Sequence, residues 1–257
     1  QGMRVCMITH GIIGAKKLQD IFDAGLDDFL ISMHGMEETH DRILGEIKGA
    51  RKAQEKTIAA IRERGKTYRV NFVMNAHNIA EIEEFSQYLT TLDPKPRIVN
   101  FINFNPHGEW AGNIKSKEFV ANLRDAEPLL DRSIDLLEAA GIGVNLRYYP
   151  MCRISERHLK NVCNDLQVMF DPYEWDYGAM PKTAEYYRQY GQYISRTIEE
   201  KTGACATCDI RNICGGINRE YNQFTDGKLA DSVRAPELAY SSDPYHYRKH
   251  NEAVFAW

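Results

Sequence analysis

Short β-rich segments alternate with helical segments through the first 150 residues. The β-rich segments are MRVCMITHG, DDFLISMHG, YRVNFVMN, RIVNFINFN and GVNLRYY. Between them apolar residues recur at helical spacing: Leu18, Ile21 and Phe22 share one helix face, and Gly25 is placed to end that helix. Repeated alternation of strand and helix predicts a parallel sheet, and the largely apolar strands indicate a sheet that is covered on both faces.

The repeated βα unit predicts an α/β fold, a partial parallel (β/α) barrel of the TIM type. A closed barrel needs eight strands, and the sequence offers five. We expect this partial barrel over residues 1–150 and a small cysteine-rich extension over residues 151–257. The first strand would be an apolar sheet edge, which folded proteins normally cover, so we expect an additional N-terminal part or another covering element. Cys6 in that strand is expected to be a small core residue.

Composition narrows the classes of partner. The chain has 257 residues and a net charge of −4, which does not favour a nucleic-acid partner. No apolar run approaches the roughly 18 residues that a membrane helix needs, so we expect no membrane partner. The first residues lack the pattern of a secretory signal, and this favours a cytoplasmic location.

The segment CATCDIRNICGG predicts a metal centre. Its cysteines, Cys205, Cys208 and Cys214, are separated by two and five residues, and thiolates are the usual ligands of iron–sulfur clusters and of structural zinc. Either group takes a fourth ligand, for which Cys152 and Cys163 are the candidates. A zinc ribbon normally pairs two C-x2-C turns, whereas one is present, so an iron–sulfur cluster is favoured and zinc remains the alternative. The six cysteines could instead form disulfides, but disulfide frameworks are typical of small secreted chains, and this chain is neither small nor visibly secreted.

Several short motifs, taken in their order, resemble the radical S-adenosylmethionine (radical SAM) enzymes. They are ITHG after the first strand, ISMHGMEETHDRILGEIKGARK after the second and VNFVMNAHN on the third. The resemblance implies SAM and a four-iron four-sulfur (4Fe-4S) cluster held by a C-x3-C-x2-C loop. The 257 residues contain no such loop, and we expect it in an N-terminal part. The C-terminal cysteines resemble the auxiliary-cluster extension called twitch or SPASM, which implies a further 4Fe-4S cluster in this chain.

The resemblance also implies roles for individual residues. It assigns Thr9, Ser32 and Asn75 to the amino acid or ribose of SAM, together with Asn71. Two positions depart from the family pattern: His10 replaces the Asn of a Thr-Asn-Gly-like turn, and Leu44 stands where many relatives have an Arg for the SAM carboxylate.

The segment NPHGEW follows a strand and carries polar groups at one rim of the predicted barrel. Functional residues of such folds cluster at the C-terminal strand ends, so His107 and Glu109 are predicted to contact substrate. A polar turn whose Trp packs on the barrel is the alternative.

As a function, the resemblance implies reductive cleavage of SAM to a 5'-deoxyadenosyl radical, which abstracts a hydrogen atom from a peptide or from a sugar- or antibiotic-type small molecule. The auxiliary cluster would accept an electron or bind substrate, and an external donor such as flavodoxin or ferredoxin would supply electrons. Two alternatives remain open: a non-catalytic partial-barrel binding module, and a barrel lyase with a structural zinc site.

Overall fold

The computed structural model describes residues 5–106, 113–164, 198–243 and 246–248. Its main sheet has six parallel strands in chain order. They are β1 (Cys6–Thr9), β2 (Asp28–Ser32), β3 (Thr67–Met74), β4 (Ile98–Asn103), β5 (Gly143–Arg147) and β6 (Val162–Cys163). A second, antiparallel pair consists of β7 (Glu199–Glu200) and β8 (Ile217–Asn218).

Six α-helices occur in the described ranges. They are α1 (Ala15–Asp23), α2 (Glu37–Ile43), α3 (Ala50–Glu63), α4 (Ile82–Thr91), α5 (Leu123–Ala139) and α6 (Arg219–Phe224). Short 3-10 helices lie at Ile79–Glu81, Ile114–Phe119, Met151–Arg153, Glu156–Asn161, Gly203–Thr207, Pro236–Leu238 and His246–Arg248. In this part of the chain no helix is long and apolar enough to cross a membrane.

The predicted fold class is confirmed, with one strand added. The five segments identified in the sequence form β1 to β5 in the predicted order, and the sheet runs from β1 to β6 without closing in the described residues. Strand β6 has two residues, which is too short for a hydrophobic pattern to reveal it.

Contacts between residues divide the chain into two compact units. The first contains residues 1–102 and 132–145, and the second contains residues 103–131 and 146–257.

The core of the first unit lies on one face of its strands. The side chains of Phe29, Ile31, Val70 and Phe72 are completely buried there. The Phe72 ring lies 4.7 Å from the ring of Phe85 on α4. Each such side chain contributes about 1.5–3 kcal/mol when it is buried, so this apolar layer holds the helices on the sheet.

The other face of these strands is also buried, as expected, but it carries polar and charged side chains beside Leu30, which corrects the expectation of largely apolar strands. Side chains alternate along a strand, so Asp28, Arg69 and Asn71 lie on the face opposite the apolar layer. Arg69 Nε lies 2.9 Å from Asp28 Oδ2, and both side chains are nearly inaccessible to solvent. A buried ion pair of this kind needs both partners, because either charge alone would be uncompensated.

Strand β1 lies at the edge of the sheet and is largely exposed. Cys6 is exposed rather than in the core, and Ile8 keeps 65% of its surface accessible. The expectation for Cys6 is therefore wrong, because among the described residues β1 has a neighbouring strand, β2, on one side only. The Cys6 sulfur accepts a hydrogen bond from Arg69 Nη2 at 3.0 Å.

The second unit is held partly by two buried tyrosines. Tyr149 is fully buried, and its hydroxyl donates to the Leu123 carbonyl at 3.5 Å. Tyr221, in α6, donates its hydroxyl to the Ala121 carbonyl. Buried hydroxyls need such partners, so the two rings connect α6 and the segment after β5 to the start of α5.

Candidate functional site

The C-terminal ends of β1 and β2 are bridged by one amide. Gln54, on α3, is completely buried, and its Nε2 donates to the carbonyls of His10 at 2.7 Å and Ser32 at 2.8 Å. Gly11 lies against this amide: it has φ of +73°, and an added Cβ would lie 3.0 Å from Gln54 Cγ. The turn after β1 is thereby fixed relative to the end of β2.

The turn after β2 is held by side chains from three other segments. His40 Nδ1 accepts the His34 N–H at 3.0 Å, and Asn78 Nδ2 donates to the His34 carbonyl at 3.0 Å. The Glu81 carboxylate accepts the Met36 N–H at 2.8 Å, at the start of α2. Both backbone groups of His34 are thus satisfied by buried side chains, as a rigid site requires.

Two histidines of this turn are neutral at physiological pH. Burial, together with the nearby His40 and His10, lowers the pKa of His34 to about 4. Burial also lowers the pKa of His40 to about 4, with Arg51 as a second cause. His34 Nδ1 accepts the Val73 N–H at 3.2 Å, so its proton is assigned to Nε2. His34 therefore presents a neutral N–H donor near the strand ends.

Ser32 and Asn71 lie side by side on the polar face, as direct partners in the register of β2 and β3. Asn71 Oδ1 accepts from Asn100 Nδ2 at 2.8 Å, and Asn100 Oδ1 accepts from Asn145 Nδ2 at 2.9 Å. This row of amides crosses β3, β4 and β5 and fixes the orientation of the Asn71 amide, with its Nδ2 as the donor end.

The other two residues predicted to bind SAM, Thr9 and Asn75, are not direct partners of Ser32 or Asn71 in the sheet. Thr9 pairs with Ile31, which puts it on the face opposite Ser32, and its Oγ1 accepts the Gly11 N–H at 3.0 Å. Asn75 is buried just after β3, where its Oδ1 accepts the His77 N–H at 2.9 Å and its Nδ2 donates to the Val73 carbonyl. Of the four predicted residues, Ser32 and Asn71 are the pair that the structure brings together.

The two residues predicted to contact substrate, His107 and Glu109, fall outside the described residues. Arg42, the nearest basic side chain to the departure at Leu44, is exposed and donates to the His77 carbonyl at 3.4 Å.

The second unit contains the predicted metal ligands. Cys152 lies in the Met151–Arg153 turn, Cys205 in the Gly203–Thr207 turn, and Cys208 directly after it. Burial raises the pKa of the Cys214 thiol to about 12, and the neighbouring Cys152 raises it further. Burial also raises the pKa of Cys152, and Cys205 adds to that shift. Cys152 therefore lies within electrostatic range of both Cys205 and Cys214.

The Cys208 sulfur accepts a hydrogen bond from the Val233 N–H at 3.4 Å. The backbones of Gly216 and Met151 act against the rise in the pKa of Cys214. The Asp231 backbone and the Arg153 side chain act in the same way on the pKa of Cys152. Hydrogen bonds to sulfur are a recurrent feature of iron–sulfur sites, where they tune the cluster.

Cys163 lies in a strand of the main sheet. It is fully buried in β6 and pairs with Arg147 of β5. All six cysteines are free thiols. In the described residues no three Cys, His, Asp or Glu side chains already converge at metal-binding distances. The donor chemistry of Cys152, Cys205, Cys208 and Cys214, four thiols of which one accepts an N–H at sulfur, fits an iron–sulfur cluster.

Sequence reasoning missed the buried polar residues that support both sites. Gln54, His40, Asn78 and Arg153 were not identified, because isolated polar residues in helices and turns usually face solvent. For Gln54 the sequence did indicate burial, because it lies four residues before Ile58, on the face of α3 that packs on the sheet.

Comparisons with known proteins bear on the family. No protein-family model matches the sequence. The PqqA peptide cyclase of Methylorubrum populi is 30% identical over 140 residues, which are 54% of this chain and 34% of the relative. The PqqA peptide cyclase of Methylorubrum extorquens strain PA1 matches with the same identity and coverage. The matches thus span about a third of the length of these curated relatives.

Among solved structures, a domain of a pyruvate-formate lyase-activating enzyme from Bacteroides vulgatus gives a TM-score of 0.41 at 13% sequence identity. That comparison covers 56% of this chain and 81% of the other.

The sheet and its helices define an α/β protein with an open parallel sheet. The sequence similarity to the peptide cyclases, over about a third of their length, agrees with the resemblance to radical SAM enzymes that the motifs indicate.

Proposed function

We propose that this chain belongs to a radical SAM enzyme that modifies a peptide, and that its second unit holds an auxiliary 4Fe-4S cluster. The ligands would be Cys152, Cys205, Cys208 and Cys214. The observation that carries the proposal is the set of four free thiols in the second unit, of which the Cys208 sulfur accepts the Val233 N–H at 3.4 Å. Cys163, buried in β6, is not part of the ligand set in this proposal.

SAM and its cluster supply one-electron chemistry that produces a radical able to remove a hydrogen atom from a substrate. The chain's own residues bind and orient. Ser32 and Asn71 offer a hydroxyl and an amide donor on one face, which suit the hydroxyl and carboxylate oxygens of SAM. The neutral His34, held by His40 and Asn78, presents a second N–H donor nearby. The proposal also requires the C-x3-C-x2-C loop, which the 257 residues do not contain.

A peptide is the proposed substrate because the relatives at 30% identity are peptide cyclases. His107 and Glu109 remain the proposed substrate contacts. The proposed electron donor is a flavodoxin or ferredoxin, and the proposed location is a reducing cytoplasm, in keeping with six free thiols. The auxiliary cluster, with four protein ligands, would accept an electron rather than bind substrate.

The test is an anaerobic assay of a protein that carries this chain together with its radical SAM cluster loop. Incubation with SAM and dithionite should yield 5'-deoxyadenosine, measured by chromatography. Asn71→Leu removes one hydrogen bond to SAM, so we expect about a tenfold rise in KM for SAM. Gln87→Leu is the matched control, since it removes an exposed amide on α4, and it should behave as wild type.

Absence of 5'-deoxyadenosine, with both clusters verified by iron and sulfide analysis, would rule out the proposed activity. If the KM for SAM of Asn71→Leu equals that of wild type, Asn71 does not contribute to SAM binding.

A further inference from the structure

The second unit contains an open cleft of about 390 Å³ that none of the predicted site residues lines. One wall lies within residues 117–124, from the end of a 3-10 helix to the first turn of α5. The other wall lies within residues 224–229, from the end of α6 into the following turn. Clefts that bind small molecules have volumes of roughly 300–1,000 Å³, so this cleft has the size of a small-molecule site.

The two walls are joined by hydrogen bonds. Arg124 Nη2 donates to the Lys228 carbonyl at 2.9 Å, and the same guanidinium donates to the two carboxylate oxygens of Asp231 at 2.8 and 2.9 Å. Tyr221, in α6, donates its hydroxyl to the Ala121 carbonyl. The cleft is therefore formed before a ligand binds, which lowers the cost of ordering its walls on binding.

Part of the cleft lining is apolar. Ala121 and Leu229 line it with only 2% and 3% of their surface exposed, and the side chains of Val120 and Phe224 are half-buried. A hydrocarbon group that covers these side chains is removed from water together with them. The hydrophobic effect therefore favours a ligand with an apolar body.

Two lysines give the cleft an excess of positive charge. Lys117 and Lys228 are exposed, and in the described part of the chain neither ammonium group forms an ion pair. The charge of Arg124 is compensated by its partner Asp231. Asp226 supplies the one carboxylate among the lining residues, so two ammonium groups against one carboxylate leave one net positive charge. A ligand with a single negative charge matches this excess.

We propose that this cleft binds a small carboxylate with an apolar body. The ligand carboxylate binds to the Lys117 and Lys228 ammonium groups, and its hydrocarbon packs on Val120, Phe224 and Leu229. The site is independent of the proposed function, because no residue assigned to SAM, to the cluster or to substrate lines the cleft.

The test compares three probes with one hydrocarbon body: 3-phenylpropionate, its amide and 3-phenylpropylamine. The 257-residue chain is titrated with each probe at pH 7 and low ionic strength, and binding is measured by ligand-observed nuclear magnetic resonance. We expect the carboxylate to bind about tenfold more tightly than the amide, because hydrogen bonds between charged groups are stronger than those between neutral groups. The amine should bind more weakly than the amide, since its charge has the same sign as that of the lysines.

A lysine variant tests where the carboxylate binds. Lys228→Met removes one ammonium group but keeps the backbone carbonyl that accepts from Arg124. We expect the dissociation constant of 3-phenylpropionate to rise about fivefold and that of the amide to stay unchanged. A disturbed cleft would weaken both probes, so the ratio of the two constants reports the charge alone.

Lys56→Met is the matched control, since it removes an exposed ammonium group from α3 in the first unit. It should bind both probes as wild type does. Equal affinities of wild type for 3-phenylpropionate and its amide, or no binding of 3-phenylpropionate, would overturn the proposal. An equal loss in Lys56→Met would do the same. If circular dichroism shows that Lys228→Met does not fold, Lys117→Met decides with the same expected ratio.

Discussion

Gly216 allows the chain to turn two residues after Cys214. Its φ is +118°, a conformation that L side chains rarely adopt, and an added Cβ would collide with the Glu200 carbonyl oxygen. We expect Gly216→Ala to lower the free energy of unfolding by about 1–3 kcal/mol and to reduce iron retention after reconstitution. Denaturant unfolding and iron analysis of the purified chain measure the two effects.

Gly203→Ala is the control for that substitution. Gly203 lies near the same thiols, but its φ is outside the left-handed range and no atom lies within 4 Å of an added Cβ. It should keep wild-type stability and iron content. Equal behaviour of the two variants would show that the turn at Gly216 does not limit the site.

Asp28 and Arg69 form the buried ion pair of the first unit, with a separation of 2.9 Å. Removing one charge leaves the other buried without compensation. We expect Arg69→Met to lower the free energy of unfolding by about 3–5 kcal/mol, and the double variant Asp28→Asn, Arg69→Met to recover part of that loss. Urea denaturation of the single and double variants measures the coupling. A double variant that loses the sum of both single effects would show that the pair is not coupled.

At the scale of elements, the connections after β1, β2 and β3 are fixed by buried polar side chains rather than by the helices alone. Gln54 reaches from α3 to two strand ends, and Asn78 reaches from the loop after β3 to the turn after β2. The strands and most helices could be predicted from hydrophobic periodicity, which reports burial. The contacts of Gln54 and Asn78 could not be predicted in this way, because a polar residue gives the same sequence pattern whether its side chain faces water or a buried carbonyl.

The turn between β2 and α2 predicts a pH dependence of stability. The pKa values of His34 and His40 are lowered by burial to about 4 from an ordinary value of about 6.5. Below pH 6.5 the unfolded chain therefore binds protons that the folded chain does not, and the free energy of unfolding falls with the pH until about 4. We expect a loss of about 3–5 kcal/mol between pH 7 and pH 4.5, measured by denaturation at both values.

His40→Asn should reduce that loss. Asparagine keeps an acceptor for the His34 N–H but does not titrate. His77→Asn, which removes an exposed histidine, is the control and should keep the wild-type profile. The same pH dependence in wild type and His40→Asn would show that His40 does not contribute.

At the scale of the whole molecule, the sequence predicted the parallel sheet and its strand order because each βα unit is a local pattern that repeats. It left two candidates, Cys152 and Cys163, for the fourth ligand, because nothing local distinguishes two cysteines eleven positions apart. The structure places Cys163 in β6 and Cys152 in the Met151–Arg153 turn before it, and Cys152 is the fourth ligand in our proposal. That distinction depends on tertiary contacts.

The most direct measurement of the central claim is the content of iron, acid-labile sulfide and zinc per chain after anaerobic reconstitution, for wild type, Cys152→Ala and Cys163→Ala. We expect about four irons with matching sulfide in wild type and in Cys163→Ala, and loss of most of both in Cys152→Ala. About one zinc without sulfide in wild type, or a cluster that survives Cys152→Ala and is lost in Cys163→Ala, would contradict the account.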